Sequence, residues 1–157
     1  MALVIEDGSV VSGANSYITI ANYKSWADER SITYGTDTVI ESAIHRAMDW
    51  FERQFFIGNK ANENQLLQWP RTEALIDGYY ADATEIPTQV KTAVYEATKV
   101  QIDGNSELEN QARKTLRERV GDIEVEYATN SENRTSTPSL SFAMNRIVRP
   151  VTEVGRI

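Results

Sequence analysis

The stretch YGTDTVIESAIHRAMDWFERQFFIGNK, residues 34–60, decides the class of the fold. Ile40, Ile44, Ala47, Phe51 and Phe55 recur at steps of three and four, the spacing that lines one face of an α-helix. Thr38 and Glu41 stand three apart as a capping box, Asp49 and Arg53 stand four apart as an ion pair on the other side, and Gly58 supplies a stop. The spacing predicts a central helix from Thr38 to just before Gly58.

Working outward, GANSYITIANYKSWADER places Thr19 as an N-cap before Ile20, Tyr23, Trp26 and Ala27, a short helix near residues 20–30. Downstream, residues 59–85 are polar, with GYYADATE reading as a loop. IPTQVKTAVYEATKVQIDGN then puts Pro87 at a first helical position, Val90, Ala93, Val94, Ala97 and Gln101 on one stripe, and Gly104 at the end. SELENQARKTLRERVGDIEVEYATN is ambiguous. Ser106 with Glu109 is a capping box and Leu108, Ala112 and Leu116 keep helical spacing, while Leu116, Glu118 and Val120 alternate as in a strand. After Gly121, Ile123, Val125 and Tyr127 alternate with Glu124 and Glu126, a half-exposed strand. TNSENRTSTPS, residues 129–139, is a polar linker, and LSFAMNRIVRPVTEVGRI is a short amphipathic tail interrupted by Pro150.

The expected fold is thus mainly α: a small helical bundle with a β-strand or hairpin excursion near residues 114–128 and an extended C-terminal arm. Residues 1–128 form the body, and residues 129–157 the linker and arm. The 157 residues suit one domain with a real core. There is no cysteine, which removes thiolate ligands, thiol nucleophiles and disulfides. MALVIEDGSV is acidic within seven residues and carries no long apolar run, so the sequence predicts neither a signal peptide nor a membrane span.

Chemistry is hard to find. His45 is the single histidine, lies a turn from Glu41 and from Asp49, and reads as a solvated surface residue. Glu124 and Glu126 on one strand face suit an exposed strand better than an acid/base pair. No phosphate loop, nucleophile elbow or zinc motif occurs, so the sequence predicts no enzyme, no cofactor and no metal. The formal charge of −7 argues against a chain built to grip phosphates. Arg113, Lys114, Arg117 and Arg119 are the one basic cluster in the body, a solvated face or a contact for DNA or an acidic partner. Beyond residue 137, Arg146, Arg149 and Arg156 stand against Glu153 alone.

QLLQWPRTEA, residues 65–74, offers a rigid aromatic: Pro70 fixes its own φ and restricts Trp69. Trp69, Pro70 and Arg71 read as a buried structural corner in preference to a base-stacking platform, with Arg71 capping a helix C-terminus or stacking on a ring.

The order SYI (16–18), ANY (21–23), FIGNK (56–60), QLLQWPR (65–71), IPTQVKTAVYEA (86–97) and VGDIEVEYA (120–128) resembles a family of tailed-phage head-tail connector, or adaptor, proteins, which also carries the name DnaT-like single-stranded-DNA-binding proteins. The likeness covers about residues 13–128. It departs at Ser31, where glycine is expected. The resemblance implies a virion protein of the head-tail neck, assembled in the host cytoplasm. Its subunits form a ring, dodecameric by resemblance, beneath the portal protein and above a tail or further neck protein, with DNA passing through the lumen without specific binding and with no membrane contact. Phe142, Arg146, Ile147, Arg149 and Val151 are then the residues expected to dock on the portal or a neighbour. The alternative is a single-stranded-DNA-binding protein of phage replication, and a third reading is a small enzyme or host-directed inhibitor. Because such binding needs a basic groove with interleaved aromatics, and Trp26, Trp50 and Trp69 lie in acidic or mixed surroundings, the sequence predicts weak binding to single strands.

Overall fold

A computed structural model of the chain describes residues 2–104, 117–120, 123–126 and 137–149. The Ser106–Glu109 box, Arg113, Lys114, most of the 129–139 linker and Val151 lie outside the described residues.

The fold is mainly α with hairpins. Helix α1 spans Ile20–Asp28, α2 Asp37–Phe51, α3 Thr88–Ile102 and α4 Pro138–Asn145. Thr19 caps α1, its hydroxyl accepting the Asn22 N–H at 3.0 Å. The α1 end turns through Ser31, whose φ of 53° is the left-handed conformation that glycine adopts without cost.

Helix α2 differs from its prediction at both ends. It begins at Asp37, so Thr38 is already helical, and the residue before it, Thr36, makes no capping bond through its side chain. It ends at Phe51, so Arg53 and Phe55 lie beyond it and Phe55 leaves the apolar face. The predicted stripe holds up to that point: Ile40, Ile44, Ala47 and Phe51 are fully buried. On α3, Pro87 precedes the first helical residue, Val90, Ala93, Val94 and Ala97 are fully buried, and Gly104 follows with φ +69°. The small alanines let α2 and α3 pack closely as the central pair, with α1 against α2 and α4 against α3.

Among the described residues, three two-stranded antiparallel pairs accompany the helices. β1 (Asn59–Lys60) pairs with β2 (Arg71–Thr72), β3 (Leu75–Ile76) with β4 (Tyr79–Tyr80), and β5 (Arg117–Val120) with β6 (Ile123–Glu126). The β5–β6 register resolves part of the ambiguous region as strand and sets Arg117 opposite Glu126 and Arg119 opposite Glu124. The segment GYYADATE is not all loop. Asp77 and Gly78 both have positive φ, 52° and 89°, and form the two-residue connection of the β3–β4 hairpin.

The C-terminal arm is the largest difference from expectation. Leu140, Ala143, Met144 and Ile147 are buried in the same core as α2 and α3. Beyond α4 the chain returns to residues 55–57: Ile57 N–H donates to Ile147 O at 3.1 Å, Arg149 N–H donates to Phe55 O at 2.8 Å, and Phe56 bridges Val148 antiparallel. Leu140, Ala143, Met144 and Ile147 are thus covered by the body itself, while Phe142 stays 66% exposed.

Candidate functional site

The corner at residues 65–71 is built around side chains that carry backbone groups into the core. Trp69 is fully buried, its ring meeting Phe56 edge-on at 6.0 Å, and its peptide bond to Pro70 is cis. Its backbone N–H donates to the Tyr17 hydroxyl at 3.0 Å, and that hydroxyl donates to Glu52 Oε1 at 2.7 Å. The other Glu52 oxygen accepts the Gln68 N–H at 2.7 Å. Gln65 spans the turn, its amide donating to Leu67 O and Pro70 O at 2.9 and 3.0 Å. Burial pushes the Glu52 carboxyl above its ordinary range, and the Tyr17 hydroxyl pulls it back.

Arg71 ties this corner to the loop after α2. Its Nε donates to Ile57 O at 2.7 Å, Nη2 to Gly58 O at 2.8 Å, and Nη1 to the backbone and side-chain oxygens of Gln68 at 3.2 and 3.0 Å. Arg71 thus fastens loop carbonyls, with its guanidinium carbon 6.0 Å from the Phe56 ring centre. Gly58 permits the approach: at φ +70° a Cβ would sit 2.3 Å from Thr72 O.

The same carbonyl holds a second guanidinium, because Arg149 Nη2 donates to Gly58 O at 3.1 Å. Burial first, and the neighbouring Arg149 charge second, push the Arg71 guanidinium below its ordinary value. Arg53 comes from the turn after α2, so Arg53, Arg71 and Arg149 converge on one cleft of about 280 Å³. Glu52 is the carboxylate in its wall, with both oxygens engaged inward. At the lip stands Phe55, 81% exposed. Pairing with Val148 turns Phe56 inward, and strand alternation turns Phe55 outward. A cleft with three cations and a protruding apolar ring can take an anion that carries a flat apolar group.

Two other grooves are less suited to an anion. One of about 370 Å³ is bordered by Tyr79 and Tyr80, 80% and 75% exposed, but also by Asp77, Asp82 and Glu85. Another of about 290 Å³ lies between α3 and α4 beside Phe142 and Arg146. Charge selects the smaller Arg53–Arg71–Arg149 cleft over the larger acidic one.

The residues expected to dock on a neighbour are dispersed. Ile147 is fully buried, and Arg146 lies 3.6 Å from Asp77 with its guanidinium 5.0 Å from the exposed Phe142 ring. Arg149 faces the basic cleft. His45 sits 3.9 Å from Glu41. Among the described residues no group of three or more metal-ligating side chains occurs, and no helix is long and apolar enough to cross a membrane. Sequence reasoning missed the grouping of Arg53, Phe55, Arg71 and Arg149, and the inner network of Tyr17, Glu52, Gln65 and Gln68. The FIGNK and QLLQWPR motifs frame both groups but do not reveal which side chains meet.

A family model described as "Putative DnaT-like ssDNA binding protein" matches residues 1–156. No curated protein and no solved structure matches. The match overturns the head-tail connector reading, and with it the expectation that the protein is a structural adaptor docked on a portal and that DNA passes it without being bound. Net charge is an average over the chain, and the fold collects arginines from three separated segments into one cleft that the average conceals.

Proposed function

Starting from the family to which this chain belongs, that of the DnaT-like single-stranded-DNA-binding proteins, we propose that the protein binds single-stranded DNA and acts as a binding protein without catalysis of its own. The observation that carries the reading is the family match over residues 1–156, and the arginine-lined cleft with an exposed aromatic at its lip supports it. Such proteins combine cations that follow the phosphate chain with aromatic faces on which unpaired bases stack. An acidic body around a basic cleft restricts the strand to that cleft, because phosphates are repelled elsewhere.

Fluorescence anisotropy with labelled single-stranded and duplex oligonucleotides of mixed sequence tests this. The single strand is expected to bind saturably and more tightly than the duplex. With two or three phosphates neutralised, log K should fall against log salt with a slope of about −1.4 to −2. No saturable binding at about 0.05 M salt, or tighter binding of the duplex, refutes the proposal.

A further inference from the structure

Resting on that reading, we propose that the Arg53–Arg149 cleft is the nucleotide subsite, with a base stacked on Phe55 and the adjoining phosphate held between Arg53 and Arg149. Phe55 is presented from a fixed backbone: its carbonyl accepts the Arg149 N–H at 2.8 Å, and the next residue is paired to Val148. Little side-chain freedom beyond the ring's own rotation is lost when a base covers it. The ring has no hydrogen-bonding atom, so it accepts any base by its face and reads none by its edge. A duplex keeps its bases stacked on one another and offers no free face to Phe55.

The three arginines divide the work. Arg71 already directs Nε, Nη1 and Nη2 at protein oxygens, so it is a positioning residue that fixes the Gly58 carbonyl. Arg149 is exposed and shares that carbonyl through Nη2, which aims its guanidinium at the cleft. Arg53 is exposed and lines the same cleft. A phosphate held there meets the like charges of Arg71 and Arg149, which the Glu52 carboxylate opposes from the wall. The Tyr79–Tyr80 groove has the aromatic faces without the cations, and its carboxylates repel the phosphate chain.

The test uses the full chain and a fluorescent single-stranded oligonucleotide, with Phe55→Ala, Arg53→Gln, Arg149→Gln and a Tyr79→Ala/Tyr80→Ala control, each first checked by thermal melting. Phe55→Ala is expected to weaken binding about 5- to 100-fold with the salt slope unchanged. It should lose no further affinity when the strand is replaced by one made of abasic sites. Arg53→Gln and Arg149→Gln should each reduce the slope by about 0.7. The tyrosine control should bind like the parent. A parent chain that does not bind single strands overturns the proposed function and this site together. A parent that binds, with Phe55→Ala and Arg53→Gln binding equally well, overturns the site alone, as does loss of binding in the tyrosine control. If an acidic peptide such as oligoglutamate displaces the strand at equal charge concentration, the cleft is a peptide site and the assignment to a nucleotide fails. Arg53 is exposed and past the end of α2, so its variant keeps the test valid should another not fold.

Discussion

Replacing Tyr17 with phenylalanine removes one oxygen and leaves the rest of the corner in place, including the edge-on contact with Phe51 at 5.8 Å. That oxygen both donates to Glu52 and accepts from the Trp69 N–H. Its loss strands a buried backbone donor, which costs about 1–3 kcal/mol, and takes a donor from a buried carboxylate, worth about 1.5–3 kcal/mol. The two losses share an atom, and Glu52 can take up a proton in response, so they do not add fully. A total of about 2–4 kcal/mol at pH 7 is expected, a fall in Tm of about 5–15 °C for a domain of this size. The loss should also depend on pH. Burial already raises Glu52 above its ordinary 4.5, and the Tyr17 hydroxyl lowers it, so the variant raises it further. A carboxyl raised in the folded state contributes stability that is complete below the unfolded value and is lost as pH climbs through the folded one. The variant loses more on that climb, so the gap between the two proteins widens from pH 4.5 toward neutrality. Urea unfolding followed by tryptophan fluorescence at several pH values measures it. A gap under about 0.5 kcal/mol at pH 7, or one that widens on acidification, refutes the reasoning.

Gly58→Ala places a Cβ 2.3 Å from Thr72 O at a φ of +70°, and is expected to cost at least about 2 kcal/mol in chemical denaturation and to weaken strand binding with it. Ser31→Gly relieves a left-handed serine and should raise stability by about 0.5–1 kcal/mol, read as a Tm increase of a few degrees. Deleting residues 138–157 strips Leu140, Ala143, Met144 and Ile147 from the core, so the shortened chain should lose its cooperative melt, although the sequence reads this segment as an extended arm outside the body. A truncated chain with the parent's melting curve would show that α4 is dispensable.

Regular spacing carried the helices. Thr19 as a cap and the Val90–Ala97 stripe follow from local chemistry that tertiary contacts do not override. The end of α2 was not legible, because Phe55 continues the helical spacing although the chain has already turned at Glu52. Asp77–Gly78 between Leu75-Ile76 and Tyr79-Tyr80 is a hairpin signal present in the sequence, overshadowed by the polar composition around it. The tail carried its own clue as well: Leu140, Ala143, Met144 and Ile147 keep helical spacing, but periodicity says only that a face is apolar, not whose surface covers it. The cleft was beyond sequence reading for the same reason, since nothing local brings Arg149 to Gly58.

The pairing of residues 146–149 with the loop after α2 joins segments 91 positions apart at Gly58 and Arg149. A ribosome adding about 5–20 residues per second needs roughly 5–20 s to make the second wall after the first. Through that interval Phe56 lacks the Val148 strand that pairs with it in the finished fold. The nascent polypeptide also lacks the guanidinium that completes the cation pair. If the proposed cleft is the binding site, affinity for a strand is acquired late, once residues 146–149 have emerged, and translation itself times when the molecule becomes competent to bind.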